Sequence, residues 1–87
     1  MAETAKTNGW VIDLAAWTHM EPFYDWQDHV RTGNLRAMAQ VMTTVIKSWP
    51  FEGDPADADT YAKNLRPTEW QEAAKKVGSA VGDFFSS

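Results

Sequence analysis

Five tryptophans, two tyrosines and four phenylalanines make up 13% of this chain of 87 residues, and no cysteine is present. Without disulfides, so short a chain must build its core from large side chains. It buries only about 60–65% of the surface that its unfolded form exposes, and each aromatic removes roughly 150–250 Å² from water. We therefore expect one domain with most aromatics in the core and a few at a contact surface.

The most regular pattern lies between residues 35 and 49. Apolar side chains recur there every three or four positions and continue to Trp49, at Leu35, Met38, Val41, Met42, Val45 and Ile46. This spacing predicts an amphipathic helix over 35–48, capped by Asn34 and stopped by Pro50.

Three other segments have helical patterns. A capping box formed by Thr18 and Glu21 begins a helix over 19–32, and Gly33 follows its end. Its apolar arc is interrupted by polar side chains and contains Met20, Phe23, Tyr24, Trp26 and Val30, with Gln27 and Arg31 between them. Asp54 caps a short helix over 55–65, and Pro67 opens a helix over 67–85. The predicted fold class is all-α, a compact bundle of about four helices.

The N-terminus differs from the rest. Residues 1–8 are polar without periodicity, which predicts a disordered tail before a single helical domain over 9–87. Trp10, Ile12 and Leu14 then alternate with other residues, which predicts a short extended arm along the body. The arm is too short for a sheet, and no partner strand is evident in the sequence.

No set of residues is complete enough for catalysis. Asp25 and His29 are two ligands, not a metal site. An acidic run superficially resembles a calcium loop, at Glu52, Asp54, Asp57 and Asp59. Asp59 replaces the glycine that such a loop requires, and Leu65 stands where the final glutamate belongs. We predict a protein that is not an enzyme, with no catalytic residues, metal or cofactor.

The net charge of −4 disfavours nucleic acid and anionic membranes as partners. The longest unbroken apolar run, from Leu14 to Trp17, is far shorter than a membrane span, and the first residues contain no secretory apolar segment. These features favour a cytoplasmic protein whose partners are proteins. Self-association stays open.

A helix-turn-helix DNA-binding regulator is the alternative function. Residues 29–51 contain no acid, and a short turn at 31–34 joins two predicted helices. The second helix would present Arg36, Gln40 and Lys47 to a groove of DNA. An ordinary helical hairpin with a solvated polar face explains the same pattern. The segment has only three basic residues, Arg31, Arg36 and Lys47, which are few for phosphate binding.

Two features suggest a protein-binding surface. Trp49 and Phe51 flank Pro50 in a loop, where large aromatics are hard to bury, and with Met38 and Met42 they are predicted to line a groove for a partner helix.

On the last helix, Ala74, Gly78 and Gly82 form a ridge of small residues. Interior glycines cost about 1 kcal/mol each, so either another backbone approaches closely, from the same domain or a partner, or these turns are frayed.

Several short segments follow one another in a particular order, and together they span about residues 10–85. These are Ile12-Asp13-Leu14, Thr32-Gly33-Asn34 at a helix end, Trp49-Pro50-Phe51, the run Tyr61…Leu65…Glu69-Trp70, and Phe84-Phe85. The pattern resembles the small tail assembly chaperones of long-tailed bacteriophages and prophages. The resemblance implies a helical, non-enzymatic protein of the host bacterial cytoplasm that binds the tape measure protein and helps recruit tail tube subunits.

The resemblance also bears on the C-terminus. Many such chaperones have a longer, frameshifted form, and an extension after about Val81–Phe85 would reach a second partner. Phe84 and Phe85 are therefore further candidates for protein binding, although closing the bundle explains them equally well. A generic helical interaction module with an unrelated partner is the remaining alternative.

Overall fold

A computed structural model describes residues 4–7 and 9–86 of the chain. Three strands and four helices follow one another in the order β1 Thr4–Thr7, β2 Trp10–Asp13, α1 Glu21–Thr32, α2 Leu35–Val45, β3 Ile46–Ser48, α3 Ala58–Lys63 and α4 Pro67–Ser86. The four expected helices are confirmed, but the chain is not purely helical.

The extended arm is the middle strand of an antiparallel sheet with the order β1-β2-β3. Two predictions were therefore wrong: residues 4–7 pair as β1 instead of being disordered, and β2 has partner strands. Residues 1–3 and 8 of the predicted tail lie outside the described residues. Gly9, with a φ of 85°, lies in the connection between β1 and β2.

The second partner strand comes from the segment predicted to be the end of α2. The helix ends at Val45, and Ile46 has an extended backbone. Ile46 lies opposite Ile12, Val11 lies opposite Ser48, and the register shifts between them. A helix and a strand both place Ile46 in the core, so the apolar pattern does not distinguish them.

Local signals at the helix ends had mixed outcomes. The Asn34 side chain accepts a hydrogen bond from the Ala37 amide at 3.2 Å, which confirms the cap of α2. Gly33 adopts the left-handed backbone conformation, with a φ of 68°, at the end of α1. The capping box was wrong, because α1 begins at Glu21 and the Thr18 hydroxyl is hydrogen-bonded to His19 instead.

Helix α2 lies at the centre of the molecule and contacts α1, α3, α4 and β3. Its Met42 is fully buried. The rest of the apolar core comes from the sheet, the helices and the connections between them, and includes Trp10, Ile12, Leu14, Trp17, Phe23, Trp26, Met38, Val45, Ile46, Trp49, Tyr61, Ala73, Val77, Ala80 and Val81. Helix α1 meets the end of α4 where the ring of Phe23 lies near those of Phe84 and Phe85.

Candidate functional site

The predicted aromatic surface around Pro50 is part of the core. Trp49 is 8% exposed, and its indole Nε1 donates a hydrogen bond to the Gly53 carbonyl at 3.0 Å. The Phe51 ring is half-buried, with its centre 5.3 Å from that of Trp10 and 5.6 Å from that of Trp49. Met38 and Met42 are buried as well, so three of the four residues predicted to line a partner groove are not exposed to one.

Tyr61 closes the other side of this cluster. Its ring centre lies 5.0 Å from that of Trp49, and its hydroxyl donates to the Pro55 carbonyl at 2.8 Å. Burial, with the nearby carboxylate of Asp54 as the smaller cause, raises the pKa of Tyr61 above its ordinary value. These bonds satisfy polar atoms at the cluster and hold residues 53–55 against it, so that this loop covers the rings.

The predicted DNA-reading face is not a single helix face. Lys47 lies on β3, because α2 ends at Val45. Arg36 and Gln40 are exposed but share a shallow cleft with Asp59 of α3. A carboxylate there would repel the phosphates of a DNA backbone. The structure thus keeps Arg36 and Gln40 together on α2 but places Lys47 on a different element, so the three residues do not form one helix face.

An apolar opening lies between α1 and α4. We call it the α1–α4 groove, a space of about 580 Å³ lined by Tyr24, Trp26, Gln27, Asp28, Val30, Arg31, Gly78, Val81, Gly82 and Phe85. Tyr24 is 64% exposed, Val30 49% and Phe85 54%. Large apolar side chains exposed beside one another, in place of single scattered ones, are typical of a binding surface.

Gly78 and Gly82, on the α4 side of the groove, have no close neighbour that would require a glycine at their positions. A methyl group added at Gly78 or Gly82 would meet nothing within 4 Å among the described residues. No other part of the described chain therefore approaches them. The helix continues past both glycines to Ser86. Close approach by another described part of this chain therefore does not compensate for the two glycines.

Phe84 and Phe85 have different roles, although they are adjacent. Both rings lie near Phe23, at 5.1 Å and 4.8 Å between ring centres. Phe84 is half-buried against the core, whereas the exposed part of Phe85 forms one end of the α1–α4 groove. The candidate for protein binding that the groove contains is therefore Phe85.

Tyr24 and Val30 were not predicted from the sequence to bind a partner. They belong to the apolar arc predicted for α1, in which only Phe23 and Trp26 are buried. The interruption of the arc by Gln27 and Arg31 was the available signal, because a buried arc rarely contains exposed polar side chains.

The charged side chains of the groove lie on the α1 wall. Asp28 and Arg31 form an ion pair there, and both side chains are largely exposed. Because water screens such a pair strongly, it contributes little to folding and leaves the Arg31 guanidinium accessible to another carboxylate.

Two findings concern other classes of site. Within residues 4–7 and 9–86, no group of three or more histidine, aspartate or glutamate side chains is arranged to hold a metal ion. No helix in the described part of the chain is both long and apolar enough to cross a membrane. In the acidic run, Asp57 caps α3 and accepts a hydrogen bond from the amide of Asp59 at 3.0 Å. Asp54 accepts from the amide of Ala56 at 2.9 Å in the turn before that helix. The predicted helix over 55–65 with Asp54 as its cap was therefore wrong in its bounds and its cap, because α3 spans Ala58–Lys63.

Comparison with protein-family models, with curated proteins and with solved structures finds no match to this chain.

Proposed function

We propose that this chain is a non-enzymatic interaction module that holds a helix of another protein in the α1–α4 groove. The observation that carries the proposal is the exposed apolar set Tyr24, Val30 and Phe85 beside two open glycines. An amphipathic helix laid into such a groove buries its apolar face, which is a common mode of peptide recognition.

The glycines favour a helix as the occupant. Gly78 and Gly82 lie on the same side of α4, one turn apart, and lack a side chain that would keep a second backbone away. Each costs about 1 kcal/mol of helix stability relative to alanine. Contacts with a closely packed partner helix would offset that cost, and only in the complex.

The partner named in the proposal comes from the resemblance to phage tail assembly chaperones. In this proposal the groove holds a helical segment of the tape measure protein in the host cytoplasm, and the complex then recruits tail tube subunits. A modest groove in place of an extensive interface suits a chaperone, because its partner must be released when the tail is complete.

The test uses overlapping helical peptides from the tape measure protein encoded beside this gene. Binding is measured by fluorescence anisotropy with the wild-type chain and with Gly78→Leu, whose Cβ has no described atom within 4 Å and whose side chain occupies space in the groove. We expect the variant to lose at least about tenfold in affinity while it stays folded.

Leu35→Ala is the matched control. Leu35 is an exposed apolar residue, 58% accessible, but lies on α2 away from the groove, and its replacement should leave affinity unchanged. Equal affinity of the wild-type and Gly78→Leu chains would contradict docking in the groove. A gene with no tape measure frame beside it, or a frame whose peptides do not bind, would contradict the phage assignment.

A further inference from the structure

A second groove lies along the other side of α1, between α1 and α2. This α1–α2 groove is a space of about 330 Å³. Its apolar lining comes from Trp17, Pro22, Ala37 and Val41, and Trp17 is itself part of the core. The α1–α2 groove and the α1–α4 groove have no lining residue in common, so they are separate surfaces that share one helix.

The ionisable side chains of the α1–α2 groove form one ridge on α1. Glu21, Asp25 and His29 follow one another at intervals of four residues, which places them on one side of the helix. Both carboxylates are exposed, and neither has an ion-pair partner among the described residues. Glu21 suits the first turn of α1, where a carboxylate favours the helix dipole, but Asp25 lies beyond that turn.

No lysine or arginine in the described part of the chain lines the α1–α2 groove. Arg31 lines the α1–α4 groove, and Arg36 lines the cleft beside α3. The Lys47 ammonium donates a hydrogen bond to the Thr44 carbonyl at 3.0 Å, and to neither carboxylate. The α1–α2 groove therefore has an apolar floor and a rim whose carboxylates are not neutralised.

We propose that the α1–α2 groove binds a basic helical segment of a partner protein, which presents two arginine side chains one turn apart. The aliphatic stem of an arginine packs on an apolar floor while its guanidinium stays at the rim. There Glu21 and Asp25, also one turn apart, accept charge-assisted hydrogen bonds. The net charge of −4 adds long-range attraction for such a segment. This surface does not depend on the function proposed for the α1–α4 groove.

The same charges disfavour other occupants. The phosphates of a nucleic acid or of an anionic lipid would be repelled by the two carboxylates. Within residues 4–7 and 9–86, no three histidine, aspartate or glutamate side chains converge on one metal ion, so the ridge is not a metal site. A second copy of the chain carries the same net negative charge, which opposes its approach.

A synthetic helical peptide of about 15 residues tests the proposal. It is based on alanine and carries arginine at positions i and i+4; its control carries citrulline there, which keeps the side chain's length but has no charge. Two-dimensional NMR titration measures the affinity and locates the site. At low salt we expect the arginine peptide to bind at least about fivefold more tightly, the scale of two exposed ion pairs. Equal binding of the two peptides, or binding of neither, would overturn the proposal.

Charge reversal at Asp25 tests the site itself. Asp25→Lys should weaken binding of the arginine peptide about tenfold, because it replaces one attraction by a repulsion. Glu72→Lys is the matched control, since Glu72 is also exposed but lies on α4, and both variants have the same net charge. The control should keep most of the affinity. Equal losses in both variants would show that only the net charge of the chain matters, and would overturn the proposal.

The remaining outcomes identify a different site or occupant. Binding should shift the amide signals of Asp25 and Val41; shifts confined to Gly78 and Gly82 would place the peptide in the α1–α4 groove and overturn the proposal. Spermidine that bound as tightly as the peptide would make this a site for small cations instead of a protein segment. A dimer detected by light scattering and dissociated by Asp25→Lys would identify a second copy as the occupant. Either result would overturn the proposal.

Discussion

The cluster around Trp49 and the α1–α4 groove use the same kinds of residue with opposite results. In the cluster, the indole of Trp49 and the hydroxyl of Tyr61 donate to carbonyls of one loop, and that loop covers the rings. In the groove, the rings of Tyr24 and Phe85 are more than half exposed. Aromatic content alone therefore does not identify a binding surface; what decides is whether nearby backbone covers the rings.

Glycines differ between the two regions in the same way. Gly53 has a φ of 93°, and a methyl group there would lie 2.5 Å from the Thr60 Cγ2 atom. Gly78 is helical, with open space around it. The first glycine is required by the fold of this chain, and the second is not, which is why we assign the second to binding.

The largest effect is expected from Trp49→Ala. Removing this buried ring leaves a cavity and an unpaired Gly53 carbonyl, so the free energy of unfolding should fall by about 3–5 kcal/mol. Urea denaturation measures it. Tyr24→Ala, in the groove, should change stability by no more than about 0.5 kcal/mol. Similar losses in both variants would show that the two regions do not differ as described.

Gly53→Ala should cause the second-largest loss in the free energy of unfolding. The left-handed backbone costs a non-glycine residue about 1–2 kcal/mol, and the contact with the buried Thr60 side chain adds an overpacking term of about 1–3 kcal/mol. Gly33→Ala is the control, because Gly33 has a φ of 68° but nothing within 4 Å. Chemical denaturation should show the larger loss for Gly53→Ala; equal losses would contradict the contact.

Tyr61→Phe tests the hydrogen bond by which Tyr61 holds the loop against the cluster around Trp49. Losing the hydrogen bond to Pro55 should lower the free energy of unfolding by about 1 kcal/mol near neutral pH. The raised pKa of Tyr61 means that the folded chain keeps its proton where the unfolded chain has lost it. The contribution of Tyr61 to the free energy of unfolding is thus fully present below about pH 10, and it falls as the pH rises further.

The phenylalanine variant lacks this alkaline decline, so the stability difference between the two proteins should shrink above about pH 10. Urea titrations at several pH values measure it. Parallel pH profiles for the two proteins would show that ionisation of Tyr61 is not coupled to folding.

The smallest effect has the opposite sign. Gly78→Ala adds a methyl group into open space within α4 and should stabilise the chain by about 0.5–1 kcal/mol. The same variant should weaken helix binding, because the added methyl group keeps the partner backbone away. Thermal denaturation and peptide titration of one sample measure both. Higher stability with unchanged binding would place the partner elsewhere.

Patterns within one element were sufficient to predict much of the fold. The apolar stripe that includes Met38, Met42 and Val45 predicted a helix and its buried face, and Asn34 and Gly33 marked helix ends correctly. These features depend on spacing and local hydrogen bonds, which the sequence contains. The open glycines of α4 were also noticed from sequence, because their cost is intrinsic to a helix.

Contacts between distant segments were the part that sequence could not supply. Whether Ile46 ends a helix or begins β3 depended on β2, more than thirty residues earlier, and the burial of Phe51 depended on Trp10. Likewise, Tyr24 and Val30 belong to the same apolar arc as Trp26, and only the position of α4 decides which of them is covered. The sequence determined which faces are apolar; tertiary packing decided which apolar face was left for a partner, because exposure depends on all the neighbours of a residue and not on its own segment.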